Sequence, residues 1–287
     1  MPSVRYPSVL RAVYHEAARL ITQRRQVPTE LVVGDPDLYR SFPVKYFTRN
    51  KDGIFPRDAA NKAALIIRDA GADIRDAGAE IVRDAATNRF SGQSLNTDVP
   101  ASGGLYCTFG QPALIAEVQH YARHCKDGKI NRTIGRDGRG FPLPGEALAE
   151  KCIVRLRLMH SVMLLDLGEH NAGARNFVNQ IEQSRFVQGA IELAHAPSTS
   201  LWDWVFDGWD YTVSRGIGLA VASSDYLHGL RVRSARHGNR SAEESGDNCI
   251  FFGPDGTQVK YLSIVEAYLI PARGKPELVP VEFVPTA

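Results

Sequence analysis

The chain has 287 residues, 44% hydrophobic and 23% charged, with 34 Lys and Arg against 32 Asp and Glu for a net charge of +2. That length and balance suffice to bury a core, which excludes wholesale disorder, a collagen-like fibre and a coiled-coil rod. The near-neutral charge argues against a dedicated nucleic-acid binder, while leaving room for a local basic site for a small anion.

No stretch approaches the roughly 20 apolar residues of a membrane span. Cys107, Cys125, Cys152 and Cys249 show no CxxC spacing, so neither a disulfide scaffold nor a zinc ribbon is expected. Residues 1–7 lack the apolar run of a secretory signal, and a reducing, cytoplasmic setting is the expectation.

The first helix is expected over Pro7–Arg25, where Val9, Leu10, Val13, Ala17, Leu20 and Ile21 recur at helical spacing. Prolines and Asp-Gly steps then break residues 28–56 into turns and short strands, such as 43–47. A repeat follows, Ile67-Arg68-Asp69-Ala70-Gly71, Ile74-Arg75-Asp76-Ala77-Gly78 and Val82-Arg83-Asp84-Ala85-Ala86. Its period of seven to eight keeps the apolar residues on one helix face, as in a packed amphipathic helix or a partner-binding arm.

Beyond Arg89 come a strand at Leu105–Thr108, a helix from Pro112 to about Cys125 and a Gly-rich loop over 135–145. Further strands are expected at Cys152–Leu158, Met163–Leu167, Leu230–Val232, Cys249–Phe252 and Tyr261–Ile270. Helices are expected at Phe177–His195 and Arg215–Ser223. Strands and helices mix without βαβ alternation, which indicates an α+β fold.

Glu117, His120 and His124 share one face of the 112–125 helix at metal-compatible spacing, but no second carboxylate–histidine helix accompanies them, and a solvated face is the commoner outcome. No HExxH, GxSxG or GxxxxGK[ST] motif occurs. Arg215-Gly216-Ile217-Gly218 lacks the strand-to-helix context of a dinucleotide fingerprint, and no thiol-protease signature surrounds Cys107 or Cys125. Trp202, Trp204, Phe206, Trp209 and Tyr211 read as core or interface packing.

Three separated segments stand out: Gly103-Gly104-Leu105-Tyr106 followed by Ala113–Val118, then Gly229–Arg236, then Gly246–Phe252. Together they resemble the RES domain, the toxin of RES–Xre toxin–antitoxin pairs, over about residues 89–270. Tyr106 precedes Glu117 by eleven positions, Ser234 follows a Gly-Leu strand start, and Asn248 opens an apolar strand ending in Phe252. Two positions depart from the family pattern: Arg233 stands where a Pro precedes the Ser, and Asn96 where an Arg is usual. The nearest replacements for that Arg are Arg89 and, less directly, Arg40.

The resemblance implies an ADP-ribosyltransferase-like mixed sheet with flanking helices over residues 89–287, preceded by a helical N-terminal extension over 1–88. It implies NAD as substrate and cleavage of the nicotinamide–ribose bond by hydrolysis or phosphorolysis. Mono-ADP-ribosylation of a protein target, or a catalytically dead interaction protein, are the alternatives. In this frame Glu117, Tyr106 and Ser234 are catalytic, and Arg89, Tyr106, Ser234 and Asn248 hold NAD. No metal is implied, and an Xre-like antitoxin is the expected partner, with homo-oligomerisation open.

Overall fold

The computed structural model describes residues 4–43, 47–50, 53–56, 90, 103–110, 113–114, 151–168, 170–197, 199–206, 210–233, 246–253, 262–270 and 277–279. In chain order the elements are α1 (Pro7–Thr22), β1 (Thr29–Val32), β2 (Leu38–Pro43), β3 (Phe47–Asn50), β4 (Gly53–Pro56), β5 (Gly103–Phe109), β6 (Lys151–Leu158) and β7 (Val162–Leu167). They continue with α2 (Ala172–Glu182), α3 (Arg185–Leu193), α4 (Leu201–Val205), α5 (Thr212–Ala222), β8 (Gly229–Arg233), β9 (Asp247–Gly253), β10 (Leu262–Ile270) and β11 (Glu277–Val279).

Helix α1 opens on a proline, whose missing N–H is harmless in a first turn. Val9, Leu10, Val13, Ala17, Leu20 and Ile21 form its buried stripe. That stripe lies on α5, and glycine is what lets the two helices approach. A Cβ on Gly216 would stand 2.8 Å from Val13 Cγ1, and one on Gly218 would stand 1.9 Å from the carbonyl oxygen of Phe90. Gly216 therefore serves the packing of α5 on α1, and Gly218 the close approach of the Phe90 backbone. Asn171 caps α2 by accepting from the Gly173 N–H at 2.9 Å, and Ser200 caps α4 by accepting from the Asp203 N–H at 3.2 Å. The aromatic segment behaves as packing: Trp204 is buried and meets Tyr6 edge-on, with ring centroids 5.6 Å apart.

The strands form a nine-stranded sheet in the order β1-β7-β8-β9-β5-β2-β6-β10-β11, with β3 and β4 pairing separately. Only β7 and β8 run parallel among these described pairs. The sheet is mixed and helices flank it, so the fold is α+β. Side chains alternate between faces along each strand. One face of β7, β8 and β9 presents Leu165, Leu167, Leu230, Val232 and Ile250 to the helices, in one apolar core with α1, α2 and α5.

The expected boundary at residue 88 needs correction for the residues that are described. α1 belongs to the central core, β1 forms one edge of the sheet, and β2 sits between β5 and β6. These elements are integral rather than an extension, because β5 and β6 reach each other only through β2. The 67–86 repeat lies outside the described residues.

Candidate functional site

β5 and β9 carry two of the residues singled out in the sequence. They pair antiparallel, with Thr108 opposite Asn248 and Tyr106 opposite Ile250. Tyr106 and Asn248 are thus diagonal neighbours on one face, the face that packs toward the helices. Asn248 Nδ2 donates to Tyr106 Oη at 3.0 Å. Asn248 is buried and Tyr106 half-buried, so the ring is held at its tip while part of it reaches solvent. Tyr106 borders the apolar core.

Arg40 approaches the same strand from β2. Its guanidinium donates from Nη1 to the backbone carbonyl of Tyr106. Arg40 is buried and pairs across the sheet with Val154. That placement makes it a support for β5. Arg89, Glu117 and Ser234 lie outside the described residues, as do His120, His124 and Cys125. Ala113 and Leu114 begin the expected helix and are buried. β8 ends at Arg233, whose register partner is Asp247.

Cys107 and Cys249 face each other in register across β5 and β9, both buried. Burial pushes the Cys107 thiol up to about 12, against the opposing pull of the Arg40 guanidinium. Burial likewise raises Cys249 well above the usual thiol range, and Cys107 adds to the effect. A nucleophile needs the thiolate, so neither is fitted to be one.

A second polar constellation, marked by no motif in the sequence, lies on the opposite face of the same sheet. Arg231 Nη1 donates to both Glu30 oxygens at 2.9 and 2.8 Å, and its Nε donates to Asp247 Oδ2 at 2.8 Å. The guanidinium lies 4.7 Å from the centre of the Phe109 ring. Asp166 accepts from the Gly168 N–H at 2.8 Å and from Asn171 Nδ2 at 2.9 Å, and His170 Nε2 lies 3.3 Å from its Oδ2. Burial pushes the Asp247 carboxyl above the usual aspartate range, outweighing the pull of Arg231. Burial lowers Arg231, but the bonds to Glu30 and Asp247 leave it above its ordinary value.

Glu30, Asp166 and His170 offer ligand atoms within 4.8 Å of one another. Both Glu30 oxygens and both Asp166 oxygens are already engaged, and Arg231 supplies the positive charge at that place. A readable signal existed for this cluster: Asp166 interrupts the apolar run Met163-Leu164-Leu165-Asp166-Leu167. A carboxylate at a buried strand position demands donors.

No protein-family model matches the chain, and no curated protein matches its sequence. Among solved structures, the chain is similar to one described as "Crystal structure of the M.tuberculosis MbcT-MbcA toxin-antitoxin complex". The TM-score is 0.40 and the identity 11%, over 88% of this chain and 90% of that one. A likeness of that size supports no correspondence between residues. No helix among the described residues is long and apolar enough to cross a membrane.

Proposed function

We propose that the chain is an NAD-consuming toxin that cleaves the nicotinamide–ribose bond, by hydrolysis or phosphorolysis, and that an Xre-like antitoxin neutralises it. The observation that carries this reading is the Tyr106–Asn248 contact. Two motif residues 142 positions apart bond at 3.0 Å, on neighbouring strands, with the strand leading to Ser234 beside them.

In this reading the C–N bond breaks with its electron pair leaving on the nicotinamide nitrogen, and the ribose passes through an oxocarbenium-like state. The Tyr106 ring, fixed at its hydroxyl, is the flat wall against which nicotinamide stacks. Glu117 offsets the developing positive charge, Ser234 and Asn248 hydrogen-bond the amide or ribose, and Arg89 clamps the pyrophosphate. Water or phosphate then attacks the anomeric carbon.

The test is nicotinamide release from NAD by the purified chain, with and without phosphate. Glu117→Gln should lower turnover by roughly 10²–10³-fold with little change in NAD binding, because the carboxylate acts mainly on the transition state. Folded wild-type protein that releases no nicotinamide would overturn the reading. ADP-ribose appearing on a protein would replace it with transfer to a protein target.

A further inference from the structure

Helix α3 is amphipathic twice over. Val187 is fully buried toward the core, with Ala190 and Ile191 packed beside it. On the outward side Phe186 is 82% exposed and Leu193 85% exposed, although both are large and apolar. Isolated exposed apolar residues are ordinary, but these two are seven positions apart. At 3.6 residues per turn they lie within about 20° of each other around the axis, so they form one row. Arg185 and Glu192, both exposed, are also seven apart and form a parallel row on the other flank. Gly189 lies between the rows, and a Cβ placed on it would meet nothing within 4 Å among the described residues.

This pattern is complementary to itself reversed. When a second α3 is laid antiparallel with Gly189 at the crossing point, Phe186 of each copy meets Leu193 of the other on one flank. On the other flank Arg185 of each copy meets Glu192 of the other. A twofold axis through the crossing generates both contacts twice, as an isologous interface requires. Glycine at the crossing lets the backbones reach the close end of helix packing, about 8 Å between axes. A parallel twofold arrangement would instead swap the flanks and set Arg185 against Phe186 and Glu192 against Leu193 of the other copy.

We propose that α3 is a homodimerisation surface, occupied by the α3 of a second copy in antiparallel orientation. The apolar row contributes the attraction, and the charged row selects direction and partner. One stripe of a nine-residue helix is smaller than the roughly 800 Å² per partner of a standard interface. The association is therefore weak and concentration-dependent.

The test is sedimentation velocity of the full-length chain, carried to tens of micromolar, with circular dichroism to confirm folding. Wild type should pass from monomer to dimer as concentration rises. Phe186→Glu and Gly189→Leu should each raise the dissociation constant at least about tenfold. Gly189→Leu is the cleaner probe, since the described residues leave room for the new side chain. Arg185→Glu and Glu192→Arg should each weaken the dimer, and the double variant should restore it, because swapping both signs keeps every cross-dimer pair. A wild type that stays monomeric throughout overturns the proposal and leaves this face to a different molecule. A dimer unaffected by Gly189→Leu, or a double variant as weak as the sum of its singles, also overturns it.

Discussion

The two faces of strands β7, β8 and β9 follow opposite rules while sharing the same residues in alternation. Toward the helices, Leu165, Leu167, Leu230, Val232 and Ile250 need only shape and apolarity. Burial of each is worth about 1.5–3 kcal/mol. Toward the other side, Asp166 and Asp247 are buried and Arg231 is half-buried, and each needs a specific donor or acceptor. A buried ion pair adds little net stability over an apolar pair of the same shape. What it contributes here is selection. A one-residue slip of β8 would drive Arg231 into the helical core and turn Leu230 and Val232 outward. The apolar face makes the sheet stable, and the charged face makes a single register acceptable.

Removing volume from the apolar side should cost most. Phe177 on α2 is fully buried in the helical core, and Phe177→Ala should lower unfolding free energy by about 3–5 kcal/mol in a urea titration. A loss below about 1 kcal/mol would mean the helical layer repacks freely, and the contrast between the faces would collapse.

On the charged side, Arg231→Met removes one member of the network and leaves Glu30 and Asp247 behind. A fully buried pair broken in this way costs 3–5 kcal/mol. Glu30 is 34% exposed at its side chain, so water recovers part of that, and about 2 kcal/mol is expected at neutral pH. The pH dependence has a definite sign. Asp247 already binds its proton more tightly in the fold than an ordinary aspartate, through burial and then the nearby Asp166, against the pull of Arg231. Without Arg231 that pull is gone, and the carboxyl rises further. A raised folded pKa contributes stability that is fully present below the unfolded value and lost as pH rises through the folded one. The gap between wild type and variant should therefore narrow as pH falls from 7 toward about 4. A gap that widens in acid would show that Asp247 is not the group left stranded.

Much of the secondary structure was legible because periodicity is local. The α1 stripe predicted a helix over 7–25, and the structure ends it at Thr22, with Arg24 turning into a left-handed conformation at φ 50°. The single helix expected over 177–195 is two, α2 and α3. Ile181 to Val187 is a gap of six, which on one straight helix would rotate Val187 well away from the buried stripe. The chain instead breaks at Ser184, in extended conformation, and Val187 is buried again.

What could not be read was pairing at a distance. Nothing local to Thr29–Val32 tells that it borders β7, or that Glu30 meets Arg231 across 201 positions. For the same reason nothing local to Arg40 tells that β2 delivers it to the Tyr106 carbonyl. Of the proposed site, Tyr106 and Asn248 are brought together. Arg89, Glu117 and Ser234 lie outside the described residues.

The smallest change expected is also the one that separates the two roles of Tyr106. Tyr106→Phe keeps the ring and withdraws the oxygen that accepts from Asn248 Nδ2. Asn248 is 2% exposed, so water cannot readily replace that acceptor. An ordinary hydrogen bond is worth 0.5–1.5 kcal/mol net, and about 1 kcal/mol of stability should be lost in thermal or urea unfolding. If the proposed function holds, the ring still presents its flat face, and stacking of nicotinamide survives. Asn248, which holds NAD in that reading, loses its orienting partner, so NAD affinity should fall slightly, with turnover at saturating NAD less affected. Tyr106→Leu, which removes the flat face as well, should weaken NAD binding further. If both variants weaken binding alike, the hydroxyl contacts the substrate itself, and the Asn248 bond is incidental to the ring's work.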